Sequence, residues 1–489
     1  MTKALFDALS AFSEGKRVSF HMPANRGGLD FPEGFQNGFS AFETTELALT
    51  DDLNDPQGPA LLAERDAARF FGAGRSFFFS SGSTTAIYTM LAAVCPPGSR
   101  LLCDPASHRS LAQIASLMRY ELRFFPRKMT ASPGRTERSP IPPIDLSYPD
   151  TLFQGVEALY ITRPDYYGRA VDIRGLIQLA KSRDIPVLVD EAHGAHYRVV
   201  PELFPETALE IGADLVVQSL HKTLPVLAPA SILHLSEKRA RDSALPGRIC
   251  ELRRFFQTSS PSFPIAASFD LMRERIEGQD YQEQVKKRIS TIDCLRRRVP
   301  PPFYILEASA ADDPFRLVIS HAELPLPLHE IQRHLQACGI DIEMADPRRL
   351  ILITTASQPA EEDARLLDAL RQLAERGRRA SEEERREKET SLALEDQWQT
   401  CLTRPRKDLS PGTAGFERLY KVGLDLRAAE EAIREGKRLY ARLPLGPYPP
   451  GIPLFYPGEA IEEADLDWLR EALSAGLTIP GMESGFAWG

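Results

Sequence analysis

The sequence contains no CxxC pair, no internal repeat and no apolar run near the roughly 20 residues that span a bilayer. Its first residues, MTKALFDALSAF, contain no basic region followed by a long apolar core. We therefore expect no metal site, no membrane partner and a cytoplasmic location. The cysteines are scattered and are interpreted as small core or surface residues: Cys95, Cys103, Cys250, Cys294, Cys338 and Cys401.

Basic residues are fewer than acidic residues. The chain has 59 Lys and Arg against 68 Asp and Glu, a formal net charge of -9. This balance disfavours general attraction to polyanions, so we expect no nucleic-acid partner. The length of 489 residues predicts two or three domains, and 43% hydrophobic with 26% charged residues is an ordinary globular composition.

Short apolar runs alternate with segments of helical period between about residues 76 and 235. The runs are RSFFFSS, RLLCDP, YELRFFP, VEALYITRP, IPVLVDEAH, DLVVQSLHK and SILHL, and the intervening segments include TAIYTMLAAV and HRSLAQIASLMRY. This alternation predicts an α/β fold with a mostly parallel sheet of seven strands, covered by helices on both faces. Ligands of such sheets bind beyond the carboxyl ends of the strands.

Two of these strand ends carry an ionisable residue. Lys222 follows DLVVQSLH, where loss of water would lower the pKa of its amine and allow it to attack an aldehyde. Asp190 ends IPVLVD, where a buried carboxylate needs a cation such as a protonated pyridine nitrogen. The structural alternatives are a surface lysine and an aspartate that caps the next turn.

A third strand end suits a phosphate. Ser80, Ser81, Gly82, Ser83 and Thr84 lie between RSFFF and a predicted helix, where backbone N–H groups and hydroxyls make an anion site. A simple Ser or Thr N-cap explains the same residues.

Three further polar residues stand near these strand ends. Ser219 and His221 flank the lysine and are close enough to donate to the same phosphate. His108 follows the next strand, where its ring either stacks on a flat cofactor or is an ordinary surface group.

Several longer motifs run through the chain: HMPANRGG, DDLNDPQGP, FFSSGSTTAI, ASHRS, RPDYYG, VDEAHGAH, VVQSLHKTLP, QTSSPSFPIAASFD and YPPGIPLFYPGE. On these motifs the chain resembles the major group of pyridoxal-phosphate-dependent ornithine, lysine and arginine decarboxylases. The motifs occur in the family order from about His21 to Glu459, and the chain is similar to a short form of the family.

The resemblance implies an aspartate-aminotransferase-like fold (fold type I) with pyridoxal 5'-phosphate as cofactor. Lys222 would carry the cofactor, and Asp190 would face its ring nitrogen. Ser83, Thr84, Ser219 and His221 would bind the phosphate. His108 would stack on one face of the ring, Ala192 would contact the other face, and His193 would lie near the phenolic oxygen. Thr258 and Ser259 would reach the site of the neighbouring subunit. Ser81 and Gly82 also belong to the implied cofactor site, and Lys222, Asp190, His108 and His221 are the catalytic candidates. The resemblance further implies a homodimer or a larger homo-oligomer with shared active sites.

The same resemblance sets the expected domain organisation. We expect an N-terminal segment over 1–55, a cofactor-binding large domain over 56–290, a small α+β domain over 291–380 and a C-terminal decarboxylase-type domain over 381–489. The segment 131–150, rich in Pro, Ser and Gly, is interpreted as an exposed connection.

The chain departs from the usual family sequence near the expected substrate entrance. Ala24, Asn25 and Arg26 replace part of HMPGHKGG, Asn54 replaces a frequent histidine, and Pro229 replaces a glutamine. These changes leave the cofactor residues intact and put the substrate in doubt.

The expected activity is decarboxylation of arginine, lysine or ornithine to a polyamine-type amine and carbon dioxide. The candidates for the proton donor to Cα are Lys222 and His221. The candidates for the acid that binds the distal cation of the substrate are Glu459, Asp51, Asp52 and Glu46. One alternative is an aminotransferase, in which Arg316 would bind the α-carboxylate, although a strand-surface arginine explains it equally well. The other is a non-catalytic, decarboxylase-like regulatory protein.

Overall fold

The computed structural model describes residues 17–24, 28–38, 42–128, 138–145, 147, 150–403, 406, 409, 423–448, 451–475 and 477–488. Its strands are β1 Val18–Phe20, β2 Arg75–Phe79, β3 Arg100–Cys103, β4 Glu121–Phe124, β5 Ala158–Thr162, β6 Val187–Asp190, β7 Leu215–Gln218, β8 Ser231–Leu235, β9 Tyr304–Ile305, β10 Arg316–Ser320, β11 Ile340–Ile342, β12 Met344–Ala345, β13 Arg349–Ile353, β14 Leu439–Ala441, β15 Ala460–Ile461 and β16 Phe486–Trp488.

Helices connect and cover these strands. They are α1 Glu33–Gly38, α2 Pro59–Phe71, α3 Ser83–Val94, α4 Arg109–Met118, α5 Arg174–Lys181, α6 Leu220–Thr223, α7 Glu237–Ala240, α8 Leu245–Phe256, α9 Phe263–Glu277, α10 Gln279–Arg298, α11 Leu328–Ala337, α12 Ala360–Gly377, α13 Glu382–Thr403, α14 Leu426–Arg434 and α15 Glu463–Ser474. In the described ranges, no helix is long and apolar enough to cross a membrane.

A seven-stranded sheet forms the centre of the molecule, with the strand order β2-β8-β7-β6-β5-β3-β4. Strands β7, β6, β5, β3 and β4 pair in parallel, whereas β8 runs antiparallel to both of its neighbours. Each of the seven apolar runs in the sequence forms one of these strands. The predicted mostly parallel sheet is confirmed.

Helices bury both faces of this sheet, which explains why its strands are apolar at consecutive positions. In β6, Leu188 packs on one face together with Ile87 and Met90 of α3. Val187 and Val189 pack on the opposite face, in the cluster that contains Ile177 of α5. Each fully buried aliphatic side chain of this kind contributes about 1.5–3 kcal/mol.

Three smaller sheets accompany the large one. The strands β12-β13-β10-β9 form an antiparallel sheet, β15-β14-β16 form another, and β1 pairs with β11 in parallel. The predicted smaller α+β parts are therefore present, while the exact domain limits stay a prediction.

Residues 138–142 of the segment interpreted as an exposed connection are buried, so that interpretation is wrong for them. Residues 143–145 are half-buried, and residues 147 and 150 are exposed as expected. Arg138 is 8% exposed and donates to the carbonyl oxygens of Leu306 and Asp313. These hydrogen bonds to a distant part of the chain hold the segment inward, although its composition is typical of a surface loop. Residues 131–137, 146, 148 and 149 lie outside the described residues.

Candidate active site

A cavity of about 410 Å³ opens at the edge of the large sheet where the parallel strands end. Its wall brings together residues that follow β2, β3, β5, β6 and β7, as the strand-end rule predicts. The residues that line it are Met22, Ser81, Gly82, Ser83, Thr84, Ile87, Asp104, Ala106, His108, Arg127, Thr162, Pro164, Asp165, Tyr166, Asp190, Ala192, His193, Ser219, His221, Lys222, Pro229, Tyr448 and Ile452.

Lys222 lies on the one-turn helix α6, directly after β7. Its side chain ends in the cavity, and its Nζ lies 3.1 Å from Nε2 of His193. Burial lowers the pKa of the lysine amine and the cation Arg316 lowers it further, whereas the carboxylates of Asp190 and Glu343 oppose the shift. The net shift is downward, which favours the unprotonated amine that a nucleophile requires.

Asp190 is the last residue of β6 and is 2% exposed. Its Oδ1 accepts a hydrogen bond from the N–H of Ala192 at 3.1 Å, and its Oδ2 accepts one from the hydroxyl of Tyr160 at 3.4 Å. Burial raises the pKa of this carboxyl, and the charge of Lys222 partly offsets that rise. A further cation in the cavity would stabilise its ionised form.

The N-terminus of α3 forms the part of the cavity that suits an anion. The helix begins after Gly82, whose φ is 90°, and no side chain caps its first turn. Ser83 and Thr84 line the cavity at the positive end of the helix. Ser219 and His221 line the same cavity, and Ser219 Oγ lies 3.2 Å from His221 Nδ1.

Two histidines complete the cavity. His108 is the N-cap of α4, and its Nδ1 accepts a hydrogen bond from the N–H of Ser110 at 3.3 Å. Burial and the charges of Lys222 and Arg109 lower the pKa of His108 to about 3. His193 is 6% exposed, and its Nδ1 lies 2.8 Å from Nη2 of Arg316.

The structure places eleven of the predicted cofactor residues on this cavity and two outside it. Those on the cavity are Ser81, Gly82, Ser83, Thr84, His108, Asp190, Ala192, His193, Ser219, His221 and Lys222. Thr258 and Ser259 follow α8 on the exposed surface, so their predicted role at a neighbouring subunit stays a prediction.

Of the family departures that the structure describes, Ala24 and Asn54 are buried, whereas Pro229 is exposed. The N–H of Ala24 donates to the carbonyl of His221 at 2.9 Å. Asn54 is 4% exposed and donates to the carbonyl of Thr258 at 3.2 Å. Pro229 lines the cavity next to Gly82, whereas Asn25 and Arg26 lie outside the described residues.

The acids proposed for the substrate's distal cation have other partners. Glu459 forms an ion pair with Arg406 at 2.8 Å. Asp51 accepts hydrogen bonds from the backbone of residues 57, 58 and 60, and Asp52 forms a 3.5 Å ion pair with Arg254. None of these acids, nor Glu46, is among the residues that line the cavity in the described part of the chain.

Three residues near the cavity were missed or misplaced. Arg316 is 1% exposed and contacts His193, so its interpretation as a strand-surface residue is wrong. Tyr166 follows β5, packs edge-on against His193 at 5.1 Å and donates to Glu343. The RPDYYG motif was the available signal for Tyr166, whereas nothing in the sequence pattern singled out Glu343.

The seven-stranded sheet, with a lysine and an aspartate at neighbouring strand ends and a helix N-terminus on the same cavity, has the arrangement of fold type I enzymes, the class that binds pyridoxal phosphate through a lysine. Two family models specify it further: "Orn/Lys/Arg decarboxylase, major domain" matches residues 3–121 and 147–356, and the corresponding C-terminal domain matches residues 433–486. The chain belongs to this family of pyridoxal-phosphate-dependent decarboxylases of basic amino acids.

Individual relatives agree with this assignment. The arginine decarboxylase of Bacillus subtilis is 29% identical over 502 residues, which cover 98% of this chain and 95% of that protein. The structure of the Escherichia coli constitutive lysine decarboxylase matches with a TM-score of 0.66 at 18% identity, over 99% of this chain and 80% of that one. The serine palmitoyltransferase of Sphingomonas wittichii matches with a TM-score of 0.54 at 15% identity, over 77% of this chain and 99% of that one. The structural matches support the shared fold.

The cavity fits pyridoxal phosphate in its chemistry. Asp190 is buried, and no cationic side chain of the described ranges forms a hydrogen bond with it. Its carboxylate is therefore available to face a protonated pyridine nitrogen. Thr162 Oγ1 is buried at the cavity wall and has no hydrogen-bond partner among the described residues. A β-carbon at position 82 would lie 3.6 Å from Pro229 Cβ, and the φ of Gly82 would strain any other residue.

Proposed function

We propose that this protein binds pyridoxal phosphate and decarboxylates a basic amino acid, with L-arginine as the preferred substrate. The observation that carries the proposal is the convergence of the Lys222 amine, the Asp190 carboxylate and the N-terminus of α3 on one cavity. The choice of arginine rests on the relatives that match most of the chain and are named arginine decarboxylases.

Different residues on the cavity would bind different parts of the cofactor. Lys222 would bind its aldehyde and Asp190 its ring nitrogen, with His108 and Ala192 on the two faces of the ring. Ser81, Gly82, Ser83, Thr84, Ser219 and His221 would hold the phosphate. When bound, the protonated ring supplies an electron sink for the pair left behind when the substrate loses its carboxylate.

The protein's own groups then control protons and charge. The depressed pKa of Lys222 keeps its amine available for attack on the aldehyde. His193 Nε2 lies 3.1 Å from that amine and is placed to orient it by a hydrogen bond. Lys222 and His221 remain the candidates for protonating Cα of the product.

Glu343 is the acid that we propose for the distal cation of the substrate. Glu343 does not itself line the cavity, but its hydrogen-bond donors Tyr166 and Met22 do. Of the carboxylates that line the cavity, Asp190 is assigned to the cofactor, Asp104 pairs with Arg127, and Asp165 pairs with Arg169. Glu343 accepts hydrogen bonds from Tyr166 and from the N–H of Met22, and no lysine or arginine of the described segments pairs with it. Replacement of Glu343 by Gln should raise KM for arginine by a larger factor than it lowers kcat.

Product analysis tests the reaction. The purified protein, loaded with pyridoxal phosphate, is incubated separately with arginine, lysine and ornithine, and carbon dioxide, amines and keto acids are measured. We expect carbon dioxide and the corresponding amine, fastest from arginine. Lys222→Ala should abolish both products, whereas Lys286→Ala, which removes an exposed lysine on α10, should leave them unchanged.

The other outcomes are equally informative. Keto acid without carbon dioxide would identify an aminotransferase, and neither product, with no borohydride-reducible cofactor on Lys222, would identify a non-catalytic protein. A homodimer in the cytoplasm, with Thr258 and Ser259 near the partner's cavity, is also part of the proposal. Sedimentation analysis that finds only monomers would contradict this arrangement.

A further inference from the structure

Arg316 reaches the active site from another sheet. It is the first residue of β10, in the four-stranded sheet, yet its side chain ends beside residues that follow β5 and β6 of the large sheet. The guanidinium lies 5.8 Å from the ring centre of Tyr166. Gly168 makes room for the side chain, since a β-carbon there would lie only 2.7 Å from Arg316 Cβ.

The hydrogen bond between Arg316 and His193 fixes the position of a proton. Arginine has only donors, so its Nη2, 2.8 Å from His193 Nδ1, must donate. His193 Nδ1 is therefore the acceptor, and a neutral imidazole then carries its hydrogen on Nε2. Burial, together with the cationic or titratable side chains of Lys222, Arg316, His108 and His221, holds the pKa of His193 well below its usual range, which keeps the ring neutral.

The hydrogen on Nε2 has a consequence for Lys222. His193 Nε2 lies 3.1 Å from Lys222 Nζ, and an N–H at that position can be bonded only by an atom with a lone pair. An ammonium group has three donors and no lone pair, whereas a neutral amine accepts. The hydrogen-bonded chain from Arg316 through His193 is therefore complete only when Lys222 is unprotonated.

We propose that Arg316 is a positioning residue: it selects the Nε2–H tautomer of His193, which in turn holds the Lys222 amine unprotonated and oriented in the cavity. This deepens the proposed function, because it rests on Lys222 as the residue that binds the cofactor aldehyde. The inference concerns the protein's own side chains and can be tested before any cofactor is added.

A competing role is open to the same guanidinium. Nε and Nη1 of Arg316 are buried and have no hydrogen-bond partner among the described residues. An arginine that binds the α-carboxylate, as in an aminotransferase, would also have nitrogen atoms free for a ligand. The two roles differ in what happens to His193 when Arg316 is removed, because only a positioning residue controls the imidazole.

The direct experiment is ¹⁵N nuclear magnetic resonance of the histidine rings in the cofactor-free protein. We expect protonated Nε2 and unprotonated Nδ1 for His193 in the wild type, with its signals assigned by their loss in His193→Gln. Arg316→Lys, which keeps a donor, should retain this tautomer, and Arg316→Met should lose its clear preference. His234, whose Nε2 faces Gln218 Oε1 at 3.2 Å, is an internal control that should not change.

A second measurement follows the amine itself. The pH dependence of acylation of Lys222 in the cofactor-free protein, read by mass spectrometry, should shift to higher pH in Arg316→Met. The reason is that both a nearby cation and the orienting hydrogen bond are lost. Arg316→Lys should remain near the wild-type profile.

The proposal is overturned if wild-type His193 carries its hydrogen on Nδ1, whether or not any variant folds. It is also overturned if Arg316→Met keeps the Nε2–H tautomer and the wild-type acylation profile while KM for the amino acid rises, since that result assigns Arg316 to carboxylate binding. A protein with the expected tautomer and no decarboxylase activity would contradict the proposed function alone.

Discussion

The contact between Gly168 and Arg316 gives a prediction whose size follows from the structure. Gly168 has a φ of 88°, and an added β-carbon would lie 2.7 Å from Cβ and 3.0 Å from Cγ of Arg316. The left-handed conformation alone costs alanine about 1–2 kcal/mol. Overpacking against a buried side chain adds about 1–3 kcal/mol. We expect Gly168→Ala to lower the free energy of unfolding by about 2–5 kcal/mol.

Gly98 supplies a matched control for this substitution. Its φ of 89° is nearly the same, but no atom lies within 4 Å of the position of an added β-carbon. Gly98→Ala should therefore cost only the conformational part, about 1–2 kcal/mol. The difference between the two variants measures the contact with Arg316.

Denaturant titration followed by circular dichroism provides both values. The displaced Arg316 should also loosen its hydrogen bond to His193, so Gly168→Ala should lower decarboxylase activity per folded molecule, whereas Gly98→Ala should not. Equal losses of stability in the two variants, with full activity in both, would refute the reasoning from the close approach of Gly168 to Arg316.

Three further predictions concern buried ionisable groups. Asp190→Asn should weaken pyridoxal phosphate binding roughly 100-fold by fluorescence titration, because it removes a charge-assisted hydrogen bond worth up to about 3 kcal/mol; unchanged affinity would remove Asp190 from the ring nitrogen. Arg253→Met should cost about 3–5 kcal/mol in denaturant titration, since it leaves the carboxylate of Glu64, 2.7 Å away and 3% exposed, without its partner; Glu64→Met added to it should recover part of that loss, and a further loss would count against this explanation. Burial lowers the pKa of His234 from about 6.5 to about 3, so the unfolded chain binds a proton in that window that the folded protein does not. The free energy of unfolding is therefore unaffected by His234 above pH 6.5, and between pH 6.5 and pH 3 it falls by about 1.4 kcal/mol for each unit of acidification. His234→Gln should make acid unfolding less steep, and an unchanged slope would contradict the prediction.

The large sheet and most of its site could be predicted from the sequence because both depend on local signals. Strands buried on two faces give continuous apolar runs, and the parallel arrangement brings their carboxyl ends to one edge. Lys222, Asp190 and the segment from Ser80 to Thr84 follow such runs directly. The resemblance to the decarboxylases then added roles to positions that the pattern had already selected.

The contributions from the other sheets could not be predicted in this way. Arg316 is separated from His193 by 123 residues, and β10 reads as an ordinary buried strand with a polar first residue. Glu343 lies between two strands of two and three residues, too short for a period to be recognised. Periodicity identifies elements, but it does not determine which side chain of one sheet reaches the cavity of another.

Glu343 and Arg316, which come from outside the large sheet, affect the protonation state of Lys222. The large sheet alone supplies Asp190, which favours the protonated amine, together with burial, which disfavours it. The distant segments add one charge of each sign, Glu343 and Arg316, and Arg316 also controls the hydrogen bond that the amine receives. The protonation state of the lysine therefore depends on how the four-stranded sheet is seated against the large one. A substitution at their contact, such as Gly168→Ala, acts on the chemistry of Lys222 without touching it.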